Sequence, residues 1–144
     1  MMEAAAAAIK EKAAELGIER PKLLAVTILT SMDEEQFADL NYKNTIAEQV
    51  LSLAKLANAA GLDGVVASPK EAAEIRKACG PDFLIVTPGV RPAGSALDDQ
   101  SRVTTPAQAF ANGSSHIVVG RPIMKAADRK LAAAAIVEEI KKIK

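Results

Sequence analysis

Short apolar runs alternate with segments of helical spacing along this chain. Four of the runs are nearly continuous in strand-forming apolar residues, and they lie at 22–29, 64–67, 83–86 and 117–119. Runs of this kind are typical of strands that are buried on both faces of a parallel sheet. The pattern therefore predicts an α/β fold in which four parallel strands are joined by right-handed helical crossovers.

Helix signals fill the stretches between the predicted strands. Gly17 and Gly61 each follow a segment of helical spacing, in the position where glycine ends a helix. Ser68 and Glu71 flank Pro69 and Lys70 in the order of an N-cap and a capping-box residue. The predicted helices cover 2–16, 44–60, 68–79, 105–112 and 128–143.

Four strands are half the number in an eight-stranded barrel, which typically needs about 250 residues. A parallel sheet is stable when both of its faces are covered, and one layer of helices covers one face. We therefore expect either a small open three-layer sheet or the C-terminal half of a (β/α)8 TIM barrel that is completed by self-association or by a partner half. No linker or charge block divides the chain, so 1–144 is expected to be a single domain.

Composition excludes several classes of partner. The 18 basic and 18 acidic side chains cancel and aromatic residues make up 3% of the chain, so no nucleic-acid partner is expected. No apolar run approaches the roughly 18 residues that span a membrane, and the first residues lack the basic leader of a signal peptide. The single cysteine, Cys79, fits a reducing compartment, and the sequence predicts a cytoplasmic protein.

The most informative candidate chemistry follows the third predicted strand. Residues 87–104 form a long polar loop, and long loops in compact domains are usually functional. The loop carries Pro88 and Arg91 at its start and Gln100 further along. Backbone N–H groups, a guanidinium and a side-chain amide suit an anionic ligand. An ordinary ordered crossover is the simpler alternative, but the loop is longer than a crossover needs.

Gly120 and Arg121 directly follow the fourth predicted strand. Glycine lets the backbone approach a ligand, and arginine can clamp a phosphate with two parallel hydrogen bonds. Barrel enzymes usually place their phosphate sites at the carboxyl ends of such strands. Alone, the dipeptide also fits a glycine turn followed by a solvated arginine; together with the preceding loop, it predicts a phosphate site.

Other polar residues allow more than one interpretation. The hydroxyl groups of Thr27, Thr30 and Ser31 follow the first strand, where they can reach a ligand or satisfy backbone groups at the turn. The single histidine, His116, is expected at a strand edge, and Cys79 is expected to be a packing residue. No spacing typical of metal ligands or of a catalytic triad occurs, so neither a metal nor a cofactor is expected.

These motifs resemble the C-terminal portion of the orotidine 5′-monophosphate decarboxylase family. Residues 24–31, 61–66, 83–95 and 117–123 resemble strands five to eight of that family's barrel, so the resemblance covers essentially the whole chain. The combination of Val-Thr-Pro-Gly-x-Arg, the loop glutamine and Val-Val-Gly-Arg-Pro-Ile is its most specific element.

The resemblance implies a phosphorylated nucleotide, OMP or UMP, as the small-molecule ligand and no cofactor. It also implies roles for seven residues. Arg91, Gln100, Gly120 and Arg121 would contact the phosphate or its closing loop, Thr30 and Ser31 would lie near the pyrimidine, and Pro88 would form a wall of the pocket.

The chain lacks the family's catalytic array, an Asp-x-Lys-x-x-Asp motif on the third strand with further Asp and Lys on the first two. Because stabilisation of transition-state charge is usually the largest catalytic contribution, we expect the phosphate-binding part of a lyase site that is inactive alone. One alternative is a subunit that is completed by a separate N-terminal half. Another is a structural half-barrel that forms homo-oligomers without catalysis. A weaker alternative is another member of the phosphate-binding barrels.

Overall fold

The computed structural model describes residues 1–92 and 104–142. All paired strands run parallel in the order β1-β2-β3-β4, so the α/β prediction is confirmed and β1 and β4 lie at the edges. The strands are β1 (Leu24–Val26), β2 (Gly64–Val66), β3 (Leu84–Thr87) and β4 (His116–Ile117). The helices are α1 (Met2–Leu16), α2 (Glu34–Ala38), α3 (Ile46–Ala59), α4 (Ala72–Cys79), α5 (Pro106–Ala111), α6 (Arg121–Met124) and α7 (Arg129–Lys141).

Helices cover one face of the sheet. Val65 and Ile85 are register neighbours on β2 and β3, and both are fully buried. Helices α3 and α4 contribute Ala57, Ala72 and Ile75 to the same core, where they are also fully buried. The two alanines add little bulk, so the helices can approach the sheet closely. This core holds the strands in register.

The opposite face of the sheet is not covered by the described residues. Val26, Val66, Val86 and His116 form one register row across the four strands. Val26 is 63% exposed and His116 is exposed, whereas the row that faces the helices is buried at its centre. A single helix layer on a parallel sheet corresponds to the predicted half-barrel and not to a three-layer sheet.

The regular strands differ in extent from the predicted apolar runs. Strand β1 pairs with β2 through three residues and ends at Val26, and the Thr27 N–H adds one further bond to the Val66 oxygen at 3.1 Å. Strand β4 begins at His116, one residue before the predicted start, and pairs through two residues. An apolar run thus predicts where a strand lies better than where pairing stops.

One predicted helix start is wrong, and two short helices, α2 and α6, were not predicted. The capping box at Ser68 and Glu71 is wrong, because α4 begins at Ala72 and the Ser68 hydroxyl accepts from the Lys70 N–H at 3.3 Å within a turn. Helix α2 was not predicted, although it has a complete capping box between Asp33 and Gln36. Only five residues long, it has no apolar repeat that would reveal it.

The Arg76 guanidinium joins four backbone carbonyls from two connections. Its nitrogens donate to the carbonyl oxygens of Gly80 and Pro81 at 2.8 Å each and of Phe83 at 2.6 Å. They also donate to the carbonyl oxygen of Gly113, at 3.0 and 3.3 Å. The first three oxygens precede β3 and the fourth precedes β4. Arg76 therefore fixes the starts of two adjacent strands.

We predict that Arg76→Met lowers the free energy of unfolding by about 2–3 kcal/mol, because hydrogen bonds from a charged donor contribute about 1.5–3 kcal/mol each and some of these carbonyls regain water. Urea unfolding followed by circular dichroism measures the loss. Lys77→Met, on the exposed neighbouring position of the same helix, is the control and should change stability little. Equal effects of the two substitutions would contradict the role of Arg76.

Asp63 joins the segment before β1 to the start of β2. The Arg20 guanidinium donates to both of its carboxylate oxygens, one of them at 2.8 Å, and the Leu23 N–H donates at 2.7 Å. Lys22 Nζ lies 3.7 Å from the same carboxylate. The Arg20 guanidinium and the Leu23 N–H hold the pKa of Asp63 below its ordinary value, against the opposing effect of burial.

This depressed pKa makes the fold sensitive to acid. The ionised carboxylate contributes stability above the ordinary aspartate pKa of about 3.9, and the contribution is lost as pH falls through the lower pKa of the folded chain. Asp63→Asn should therefore be less stable at pH 7 and lose less of its unfolding free energy between pH 7 and pH 3. The control Asp82→Asn, at an exposed site, should retain the full loss of the unmodified chain.

Candidate functional site

Buried hydroxyl groups tie the carboxyl end of β3 to β4. Thr87 is fully buried, and its Oγ1 lies 3.0 Å from the Ser114 hydroxyl and 3.3 Å from the carbonyl oxygen of His116. Beyond them, the Val118 N–H donates to the Thr87 oxygen at 3.0 Å. The two chain segments therefore leave the sheet side by side.

A turn at Gly89 follows β3. Its φ of 77° lies in the left-handed region that favours glycine, and it redirects the chain after Pro88. Val90 then forms a parallel bridge with Thr104, and the Arg91 N–H donates to the Thr104 oxygen at 3.0 Å. Because Val90 is 2% and Arg91 4% exposed, this bridge anchors Arg91 in the body of the domain.

A cleft of about 230 Å³ opens between the segments that follow β3 and β4. Among the described residues that line it, two are arginines, none is acidic, and the others are apolar residues or glycines. This composition suits a compact anion that accepts hydrogen bonds from guanidinium groups. The lining residues are Pro88, Gly89, Val90, Arg91, Val118, Gly120, Arg121 and Pro122.

The cleft brings together Pro88, Arg91, Gly120 and Arg121, which were four of the seven candidate residues. These residues lie together because β3 and β4 are neighbouring parallel strands. The carboxyl ends of the two strands therefore meet at one rim. In sequence, the two arginines are far apart. Their proximity is therefore a consequence of the sheet.

Two of the remaining three candidates, Thr30 and Ser31, do not line this cleft. Thr30 is buried and Ser31 exposed, and both follow β1 at the opposite edge of the sheet from β4. Gln100 lies outside the described residues. The Thr27 hydroxyl donates to the Val66 oxygen at 2.8 Å, so this residue satisfies a backbone group at the strand end.

Sequence reasoning missed Val118 and Pro122, which line the cleft, and the Thr87–Ser114 pair beneath it. Val118 and Pro122 flank the Gly120-Arg121 dipeptide, so their position beside it was the available signal. No local pattern marks Ser114 as a partner of Thr87, because the two residues are brought together by the β3–β4 pairing.

Two other features are absent from residues 1–92 and 104–142. In this part of the chain, no helix is long and apolar enough to cross a membrane. The same residues contain no group of three or more His, Cys, Asp or Glu side chains that could hold a metal ion.

Four consecutive parallel strands, a single helix layer and a cleft with two arginines at the carboxyl rim define the class of the chain. It is part of a (β/α)8 barrel, and its cleft is suited to an anion. A sequence profile described as Orotidine 5′-phosphate decarboxylase / HUMPS family matches residues 1–136. The chain belongs to this family.

Individual relatives support the assignment. The Orotidine 5′-phosphate decarboxylase of Moorella thermoacetica is 54% identical over 145 aligned positions, which cover 100% of this chain and 58% of the relative. The crystal structure of Orotidine 5′-phosphate decarboxylase from Lactobacillus acidophilus matches with a TM-score of 0.72 and 48% identity, over 86% of this chain and 51% of that one. That of an uncharacterized conserved protein from Geobacillus kaustophilus matches with a TM-score of 0.77 and 38% identity, over 97% and 58%.

The chain thus spans between half and three fifths of the length of the relatives it matches. This agrees with a structure that contains four strands of a TIM barrel. The resemblance that the strand-end motifs predicted is confirmed at the level of the family.

Proposed function

We propose that this chain forms the phosphate-binding side of an orotidine 5′-phosphate decarboxylase site, in which OMP is converted to UMP and CO2. The observation that carries the proposal is the cleft between β3 and β4, where Arg91 and Arg121 line the same space at the carboxyl rim. Family membership and the activity after which the relatives are named support the identity of the ligand.

In this proposal, different residues contact different parts of the ligand. Arg121, with Gly120, contacts the phosphate at the end of β4, and Arg91 contacts it from the anchored turn after β3. Pro88 forms a wall of the pocket, while Thr30 and Ser31, on the same rim but at the far edge of the sheet, lie toward the pyrimidine. Gln100 is proposed to reach the phosphate from the loop. The single cysteine favours a reducing compartment such as the cytoplasm.

The proposal includes no catalysis by the isolated chain. Decarboxylation leaves a carbanion that requires a positioned cation and a proton donor, and this sequence has no Asp-x-Lys-x-x-Asp array to supply them. The two arginines bind a phosphate that is remote from the carboxylate that leaves. The two arginines contribute binding energy. That energy increases the reaction rate only when a complementary part of the site supplies the reacting groups.

A structural role is the second candidate, and the uncovered sheet face favours it. Val26 and Leu29, at the β1 edge, are 63% and 60% exposed, and Val118, beyond β4, is 50% exposed. An apolar sheet face of this kind is normally covered. Either a complementary N-terminal half or a second copy of the chain would cover it.

We predict that the purified chain binds inorganic phosphate or UMP with millimolar affinity, since half of the pocket is missing and about 4 kcal/mol of binding energy corresponds to that range. A titration followed by NMR should shift the amide signals around Gly120 and Arg121. Arg121→Ala should abolish these shifts because it removes the cation at the strand end.

Arg129→Ala is the matched control for this titration, because Arg129 is an exposed arginine on α7 and does not line the cleft. It should leave the phosphate affinity unchanged. Shifts that cluster elsewhere, or that persist in Arg121→Ala, would contradict the proposed phosphate site.

We also predict that the isolated chain shows no detectable turnover of OMP, because the charged array that stabilises the carbanion is absent. The decrease in substrate absorbance or the release of labelled CO2 measures this. Decarboxylation that copurifies with the chain and disappears in Arg121→Ala would show that the chain is catalytic by itself.

A further inference from the structure

Helix α5 ends in an Asn-Gly dipeptide, Asn112 followed by Gly113. In such a pair the glycine nitrogen can attack the asparagine Cγ, because glycine has no side chain to hinder the approach. The new C–N bond closes a succinimide ring, and the side-chain nitrogen leaves as ammonia with the amide proton of the glycine. Water then opens the ring to aspartate or isoaspartate. The dipeptide is therefore a chemically labile point of the chain.

The turn after α5 requires the glycine of this pair. Gly113 has a φ of 99°, in the left-handed region that favours glycine. A Cβ at this position would also lie 3.2 Å from the Cβ of Arg76. The residue that makes Asn112 labile is therefore fixed by the backbone of the turn and by its close approach to α4.

The side chain of Asn112 joins α5 to the turn that precedes α4. Its Nδ2 donates to the carbonyl oxygen of Pro69 at 3.1 Å, and its Oδ1 accepts from Gln108 Nε2 at 2.7 Å. An ionised carboxylate could still accept from Gln108, but it has no hydrogen to donate to Pro69. Deamidation would therefore remove the bond between α5 and the turn.

The backbone at Asn112 is not in the conformation that closes the ring. Its ψ of −3° brings the Gly113 nitrogen level with the nitrogen of Asn112 itself, away from Cβ and Cγ. Ring closure requires about a third of a turn around the Cα–C bond, and the rigid peptide plane turns as one unit. This rotation breaks the bond from the Gly113 N–H to the Phe110 oxygen, at 2.9 Å, and the bonds from Arg76 to the Gly113 oxygen, at 3.0 and 3.3 Å.

We propose that Asn112 is a deamidation site that the folded turn keeps unreactive, and that it reacts when residues 112–113 open locally while the rest of the domain stays folded. The reaction makes this opening irreversible. Aspartate cannot donate to Pro69, and isoaspartate also lengthens the main chain by one carbon atom. Molecules in which this turn has opened are thereby marked covalently.

Incubation of the purified chain at neutral pH, folded and in urea, tests the proposal. Mass spectrometry of the tryptic peptide 103–125, in which Asn112 is the only asparagine, measures the rate. The folded chain should react about 100-fold more slowly, because opening breaks several hydrogen bonds, some of them from a charged donor. Asn58, which precedes Ala59, is the internal reference and should react slowly in both states. Equal rates at Asn112 in the two states, or no reaction in urea, would overturn the proposal.

Gln108→Ala tests the contribution of the side-chain contact. It frees the Asn112 Oδ1 and should raise the rate in the folded chain about fivefold, as expected for the loss of one neutral hydrogen bond. The matched control is Gln49→Ala, because Gln49 accepts from the side-chain amide of Asn44 at 3.0 Å, on α3. This control should leave the rate at Asn112 unchanged. Equal effects of the two variants would contradict the role of the contact.

Arg76→Met and Asp63→Asn distinguish local opening from global unfolding. Both substitutions are expected to destabilise the chain, but only Arg76 contacts Gly113. At urea concentrations that give the two variants the same free energy of unfolding, Asn112 should react about tenfold faster in Arg76→Met. Equal rates would mean that Asn112 reacts only in the unfolded chain, and would overturn the proposal. None of these measurements depends on phosphate binding.

Discussion

The guanidinium of Arg76 determines where two strands of this domain begin. Its N–H groups donate to the carbonyl oxygens of Gly80, Pro81 and Phe83 before β3 and to that of Gly113 before β4, so the chain enters both strands from fixed positions. A planar group with five donors can do this, whereas the point charge of a lysine cannot. Because β3 and β4 are paired, fixing their starts also fixes their relative position at the opposite rim, where the cleft lies.

Parallel pairing makes the cleft possible. Each crossover returns the chain to the same end of the sheet, so loops that are distant in sequence share one rim. The Thr87–Ser114 contact and the Val90–Thr104 bridge hold the segments on both sides of the cleft. Residues at the rim are thus supported by hydrogen bonds below them. In the proposed phosphate site, an arginine would be in place before the ligand arrives, and such placement lowers the entropy lost on binding.

The sequence predicted the features that depend on local patterns. Continuous apolar runs located the four strands, and the residues after β3 and β4 indicated the arginines of the cleft. Helix α2 was not predicted because five residues are too few to show a helical repeat of apolar positions. The start of α4 was misplaced because Ser68 caps a turn and not the helix. The contacts of Arg76 and the pairing of Thr87 with Ser114 depend on the tertiary fold, and no spacing in the sequence reveals them.

The bridge between Val90 and Thr104 also affects how this family can change. It fixes both ends of the intervening segment with backbone groups, which do not depend on the side chains in between. A hydrogen bond of this kind can form with any residue except proline at the donor position. The side chain at position 91 can therefore differ among relatives while the main-chain anchor that places it at the rim is retained.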